Sequence, residues 1–594
     1  MDFKFKNLKY AFRCLGIIVK RHPLFILLSF IELIVLVISN LIPINLVSKI
    51  VNLYLNNAEF TEIVFTIILN TSIYLIGSII YEIVNFQYYY IESHFRLSFS
   101  IELYNKLKQI DYEFYQSPNF LDNYTRALDD GADKIFSVAM KQVTIIQEVV
   151  KCLFVLSIVF TVSKIAVLYS VVVAIIYLFL KKKSSQLAFE SLTKQRPFMR
   201  IEWGISFVYY MKNAIPDIKT TDINNVMREE RENANTERLK IFKNINKKKA
   251  IIDAISQALM SSIFPVILLF VAISTIKNKS IESLASLTVA ATTIYQIISK
   301  LISTITQIQV DALESKVTFE VLDMDSNIEN NIGIDIQNEF ESLSINDMSF
   351  GYDEKLILNN INVKFEKGQK IAIVGTNGAG KTTLVKLLLR LYDPKNGSIK
   401  FNDIDYKDIN VKSLRSKIGA VFQNPEVYSV TVGENVLLKK IETKEEEDKV
   451  VEALKFADIY DYIMTLPDGI NTMVTREFIK DGAVFSGGQL QKIAVARGYC
   501  QNYEVLLLDE PSSRLDPLAE AKMYQNMLKM GEGKTLVFIS HRLSATIKCD
   551  KILLFEQGQI IEQGTHNELM QIKGGKYKEM FESQSEKYIG DKYD

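Results

Sequence analysis

The chain carries its apolar residues in membrane-length runs over its first half and in short runs over its second, and no single compact fold satisfies both patterns. A helix that crosses a bilayer needs about 20 mostly apolar residues. Six stretches meet that requirement: Leu24–Val47, Ile63–Val84, Val143–Val162, Ile165–Leu180, Ala250–Ile276 and Leu284–Ile308. Only Ser163-Lys164 separates the third from the fourth, which makes them a hairpin. After Glu341, short β-rich runs alternate with helical ones, the pattern of an α/β domain. The expected organisation is a multidomain membrane protein. An all-α transmembrane domain of six helices covers 1–310, a polar acidic linker 311–340, an α/β domain 341–580 and a C-terminal tail 581–594.

Charge placement sets the expected topology. The basic N-terminal cluster, Lys181-Lys182-Lys183 and Lys247-Lys248-Lys249 fall on one side of the apolar runs, and that side is read as cytoplasmic. Six crossings then leave both termini in the cytoplasm. The first run exceeds a secretory h-region and has no small-residue cleavage site after it, so it reads as a retained helix. Lys+Arg and Asp+Glu total 69 each, so no global field favours nucleic acid. The cysteines Cys14, Cys152, Cys500 and Cys549 form no CxxC pair, which argues against structural zinc and a disulfide framework. The long connections around Ser93–Ile110 and Asn224–Lys249 keep a helical pattern, so the membrane helices are expected to continue well into the cytoplasm.

The second half contains a phosphate-binding sequence. In IAIVGTNGAGKTTL a buried strand leads through Gly375, Thr376, Asn377, Gly378, Ala379 and Gly380 to Lys381, Thr382 and Thr383. Glycines permit close backbone approach to a polyphosphate, and the N-terminus of the following helix faces the anion. Lys381 would reach the β- and γ-phosphates of ATP, and the Thr382 hydroxyl would ligate Mg²⁺. Further on, Val505–Leu508 reads as a strand buried on both faces, ending in Asp509 and Glu510.

The order GTNGAGKT, FSGGQ, VLLLDE resembles the ATPase domain of ABC transporters. That resemblance implies a role for each matching position. Tyr352, in FGYDEK, would stack on adenine. Gln423, in VFQNP, would contact Mg²⁺ or water. Asp509 would hold Mg²⁺ through a water, and Glu510 would polarise the attacking water. His541, in FISHRL, would contact the γ-phosphate. Phe485, Ser486, Gly487, Gly488 and Gln489 would cap ATP bound to a second copy of the domain, so the resemblance implies a dimer, with a heterodimer as the alternative. Phe485 replaces the family's more usual Leu. Ser513 and Asp516 belong to a D-loop reading SRLD, with Arg514 where the family commonly has a small residue.

TREF (Thr475 to Phe478) matches a short acidic segment of ABC exporters. Their cross-helices would fall near Phe114–Asp122 and Pro216–Asn224. YEFYQSPNFLDNYTRAL looks like the first cytoplasmic loop of bacterial exporters that secrete peptides, including lantibiotic-type systems. Some relatives carry an N-terminal cysteine protease, whereas this sequence begins almost directly at the first apolar run and is expected to export without cutting. The implied cargo is a peptide or an amphiphile moved across the plasma membrane, with a lipid or a drug as the rival. Import, or ATP-gated regulation without pumping, is the less favoured class. Glu32 lies inside the first apolar run, where a carboxylate either lines a cavity for cationic cargo or makes a helix–helix hydrogen bond.

Overall fold

The computed structural model describes residues 6–278, 281–352, 355–475, 480–512, 514–530, 533–540, 543 and 546–589. It divides into two compact units: 1–108 with 118–324, and 109–117 with 325–594.

The first unit is helical: α1 Lys6–Arg21, α2 Leu24–Leu55, α3 Phe60–Leu107, α4 Pro118–Asp129, α5 Gly131–Val162, α6 Lys164–Val208, α7 Ile215–Thr220, α8 Ile223–Ser261, α9 Ile263–Asn278 and α10 Ile281–Leu322. Among the described residues, five stretches are long and apolar enough to cross a membrane: Leu24–Leu55, Phe60–Leu107, Gly131–Thr161, Lys164–Val208 and Ile223–Phe270. They take in four of the six expected segments, to within one residue, and the Ala250–Phe270 part of the fifth. The sixth, Leu284–Ile308, lies in α10, where Ser, Thr, Gln and Lys300 dilute the apolar run. Ser163 ends α5 and caps α6, its hydroxyl accepting from the Ala166 amide at 3.4 Å.

Apolar side chains point both ways along these helices. Val155 and Val159 of α5, Val173 and Tyr177 of α6, and Ile294, Ile298 and Ile302 of α10 form an internal core. Leu75, Ile76 and Ile79 of α3 and Leu27 and Phe30 of α2 are exposed, as in a lipid-facing surface. The unit is that of a multi-pass membrane protein. The helical continuations are present: α3 runs to Leu107, and α8 spans the connection that holds the lysine triplet.

The expected linker is different. Asp311 does not end the last helix, because α10 continues to Leu322. Its carboxylate is buried and neutralised by Lys141 and by Lys134 at 3.5 Å, with the Ser137 hydroxyl at 3.2 Å. An acidic residue inside a helix is tolerated when an adjacent helix supplies the countercharge. The expected tail also begins inside a helix, Lys576–Ile589.

The second unit runs β1 Ser342–Phe350, β2 Leu358–Glu366, β3 Lys370–Gly375, α11 Lys381–Leu388, β4 Asn396–Phe401, β5 Ile404–Asp405, α12 Val411–Lys417 and β6 Ile418–Val421. It continues with α13 Val432–Leu437, α14 Lys444–Phe456, α15 Tyr460–Met464, α16 Gly487–Cys500, β7 Val505–Asp509, α17 Pro517–Met530, β8 Thr535–Ile539, β9 Lys551–Glu556, β10 Gln559–Gly564, α18 His566–Gln571 and α19 Lys576–Ile589. One sheet has the order β2-β1-β4-β5 and is antiparallel. The other has the order β10-β9-β3-β8-β7-β6, parallel except for β10.

The parallel sheet explains the continuous apolar runs. Ile371 and Ile373 of β3 enter one core with Val505 and Leu507 of β7. Ala372 and Val374 enter the other with Leu506 and Leu508. Alternate residues of each strand thus feed cores on opposite faces, so both sets must be apolar. Because β3, β8 and β7 are parallel neighbours, the loops after β3 and β7 leave from the same edge.

Candidate nucleotide site

The loop after β3 is shaped by glycine. Gly375, Gly378 and Gly380 have φ of 149°, 79° and 99°. A Cβ on Gly375 would lie 2.2 Å from the Phe555 carbonyl oxygen, so no side chain fits there. Gly380 caps α11, and the chain enters that helix at Lys381. Thr376, Asn377, Gly378 and Thr382 are exposed, whereas Ala379, Lys381 and Thr383 are buried. The Lys381 ammonium donates to the carbonyls of Gly375 and Thr376, both at 2.9 Å. Burial pulls its pKa down, against the charges of Glu510 and Asp509. A phosphate at the helix N-terminus would offer this lysine a stronger partner than two carbonyls.

Strand β7 delivers the carboxylates to the same place. Asp509 is buried and hydrogen-bonded to the Thr382 side chain. Burial and then the Glu510 charge push its pKa up to about 6, against Thr382 and the lysines 381 and 386. Glu510 leaves the strand at φ 47°, a conformation that side-chain-bearing residues seldom adopt, while its N–H still pairs with the Ile539 carbonyl at 3.0 Å. Gln423 donates to Glu510 Oε2 at 2.6 Å. Lys381, Thr382, Gln423, Asp509 and Glu510 therefore converge, as the motif order implies. The oxygen donors of Thr382, Gln423 and Asp509 fit a small hard cation such as Mg²⁺.

Tyr352 is half-buried, its ring held edge-on by Phe350 at 5.4 Å and Tyr392 at 5.5 Å. The Lys386 ammonium lies 5.8 Å from its centroid. His541 and Ser513 lie outside the described residues, as do Arg476, Glu477 and Phe478 of TREF.

Ser486 caps α16 in a reciprocal box: its hydroxyl accepts from the Gln489 amide at 3.3 Å, and its own N–H donates to Gln489 Oε1 at 2.8 Å. The hydroxyl proton and the first-turn N–H groups of Gly487 and Gly488 have no acceptor further back in the helix. Phe485 is buried against Tyr462, ring to ring at 6.2 Å. An aromatic therefore replaces the usual Leu as core packing. Asp516 caps α17 by accepting from the amides of Leu518 at 3.1 Å and Ala519 at 2.9 Å.

Two partners had no signal in the sequence. Arg514 donates to Asn424 Oδ1 at 2.6 Å, and a Cβ on Gly487 would come within 2.9 Å of its Cδ. Tyr392 joins the Tyr352 cluster, and Tyr112 meets Tyr392 in turn at 5.6 Å. Such contacts depend on which loops the fold brings together.

In the helical unit, Glu32 is buried and its Oε2 accepts from Gln147 at 2.8 Å and Tyr88 at 3.2 Å. Of its two readings, the helix–helix hydrogen bond is the one this geometry displays. One residue on, buried Glu148 is paired with Lys151 at 2.6 Å and Lys300 at 3.2 Å.

Residues 358–513 match the ABC transporter family. Multidrug resistance protein 4 of Entamoeba histolytica is 40% identical over 241 residues, which are 40% of this chain and 18% of that protein. A Staphylococcus aureus protein bearing the name of a multidrug export ATP-binding/permease protein is 38% identical over 270 residues, 45% of this chain and 46% of its own length. The chain thus spans less than half the length of these relatives in the matched region. A solved structure of a bacterial Atm1-family ABC exporter with ATP bound superposes with a TM-score of 0.80 at 20% identity, covering 96% of this chain and 98% of that one. The chain carries an ABC transporter domain joined to a helical membrane unit, in the fold of an exporter-type ABC transporter.

Proposed function

We propose that the chain is an ATP-driven exporter that works as a dimer in a plasma membrane, with both termini cytoplasmic. The convergence of Lys381, Thr382, Gln423, Asp509 and Glu510 beside one helix N-terminus is the observation that carries it. The loop from Gly375 to Gly380 and the start of α11 hold the polyphosphate, and Lys381 exchanges its two carbonyls for phosphate oxygens. Thr382, Gln423 and Asp509 would hold Mg²⁺, which neutralises charge on the phosphates. Glu510 accepts a proton from the attacking water, and the Gln423 amide, bonded to its Oε2, orients the carboxylate. His541 is assigned to the γ-phosphate by its motif alone.

Ser486, Gly487 and Gly488 of a second copy cap the nucleotide, which is why a dimer is proposed. Binding closes the two ATPase domains, and hydrolysis resets them. Cargo and ATP must then favour different states of the membrane unit. Peptide cargo rests on the likeness of the segment after α3 to peptide exporters; the names of the relatives support drug-like amphiphiles equally well.

Inside-out vesicles test the reading. Wild-type protein should accumulate a fluorescent amphiphile or a peptide only with ATP, and Glu510→Gln should lower ATPase and uptake about 10²-fold or more while still binding ATP. ATP-dependent loss of cargo from the vesicles would make the chain an importer. Undiminished flux in the Glu510→Gln variant would make it a gated channel.

A further inference from the structure

The edge of the parallel sheet opposite the nucleotide loops holds a surface cavity of about 780 Å³ whose lining is strongly basic. Lys449 and Lys455 reach it from α14, Lys529 from the last turn of α17, and Lys534 from the residue before β8. Among the described residues none of the four makes an ion pair; Lys455 lies 5.0 Å over the Tyr460 ring. The cavity has one carboxylate, Glu452, and that already accepts the Tyr499 hydroxyl at 2.7 Å. In a chain with 69 basic and 69 acidic residues, four lysines against one engaged carboxylate is a local concentration.

Helix dipoles account for part of it. Lys455 and Lys529 stand at helix C-termini, where a cation is favoured. Lys449 and Lys534 do not. Lys534 is half-buried, and that burial pulls its pKa down with no opposing partner. Phe456 and Tyr499 form a stacked wall, centroids 4.3 Å apart, and Asn502 and Asn526 add amide groups. An anion would supply the missing countercharge at each of these points.

We propose that this cavity is a binding site for a small anion carrying two or more charges, of the phosphate-ester or polyphosphate class, separate from the ATP site. Its position gives it a route to that site. Helix α16 begins at the Ser486 motif and ends at Tyr499 and Cys500 on the cavity, about 21 Å away along one rigid element. Occupancy at one end therefore acts on the helix that presents the motif at the other.

The test uses the full chain in phosphatidylcholine nanodiscs saturated with magnesium AMPPNP, so that the P-loop is filled. Labelled pyrophosphate should bind saturably, one per chain, and slow alkylation of Cys500 at least threefold. Lys449→Gln/Lys529→Gln should weaken that binding at least 10-fold with AMPPNP affinity unchanged, whereas Lys407→Gln/Lys412→Gln should not. Loss of pyrophosphate binding in phosphatidylglycerol discs would identify a lipid headgroup as the phosphate source, and its retention a soluble anion. No saturable binding, or an equal loss in the control pair, would overturn the site. Because AMPPNP binding is read in every sample, failure of the nucleotide site is distinguishable from failure of this one.

Discussion

Arg514 ties three parts of the nucleotide site together through one flexible side chain. It lies between β7 and α17, bonds Asn424 beside Gln423, and lies against Gly487 at the start of α16. A Cβ on Gly487 would stand 2.9 Å from its Cδ, so Gly487→Ala must push the arginine aside. Arg514→Ala and Gly487→Ala then break the same contact and should not be additive. A double-mutant cycle on ATPase rate should give a coupling of about 1 kcal/mol. Strict additivity would show that the contact carries no functional energy. The sequence marks Arg514 as a departure from a family pattern, but nothing in it pairs residue 514 with 424. By contrast, Lys381 and Glu510 were legible because the chemistry itself demands a glycine loop before the lysine and a strand end before the carboxylate. The short-range motif is written in the chain; the long-range partner depends on folding.

At the scale of elements, charge was the poorer guide and periodicity the better one. The acidic run after Asp311 reads as a linker, yet α10 continues because Lys134 and Lys141 lie on α5, far away in sequence. The segment that follows is also held. Asp111 accepts from the amides of Asn327 at 2.8 Å, Ile328 at 3.1 Å and Glu329 at 2.9 Å, and from the Ser326 hydroxyl. Arg415 then pairs with Glu329 at 2.7 Å. Burial alone would raise the Asp111 pKa, but these donors outweigh it and the net shift is downward. A depressed carboxylate pKa contributes stability that is present above the ordinary value of about 3.9 and lost as pH falls through the folded value below it. The amides of residues 327–329 should therefore stay protected from hydrogen exchange at pH 4.5 and open only below the ordinary carboxylate range. Asp111→Ala should remove that protection at pH 7, weakening the anchor by about 2–3 kcal/mol. Unchanged protection in the variant would mean that Arg415 and the backbone suffice.

Over the whole molecule, the two halves differ in what their sequences disclose. Apolar runs place helices in the first half but leave open which polar side chains meet inside it: the pairing of Glu32 with Gln147 and Tyr88 follows from packing alone. In the second half the motifs specify a nucleotide site, and under the proposed function the Ser486 hydroxyl and the N–H groups of Gly487 and Gly488 would serve another copy. That division of labour can be tested genetically. Lys381→Ala removes the phosphate partner from the P-loop, and Gly488→Asp places a carboxylate where a γ-phosphate should approach; a Cβ there already meets the Arg514 carbonyl oxygen at 3.1 Å. If each site is shared, a dimer of the two variants has one site with both faults and one with none. Co-reconstitution of the two inactive chains should then restore ATPase, to about a quarter of wild type if mixing is random and the intact site works alone. Each variant by itself should remain inactive at every concentration. Absence of restoration, in mixtures shown by cross-linking to contain the mixed dimer, would mean either that a chain completes its own site or that neither site works without the other. A tandem fusion with both faults in one half separates these outcomes: full activity per intact half supports self-completed sites, and continued inactivity supports obligate coupling.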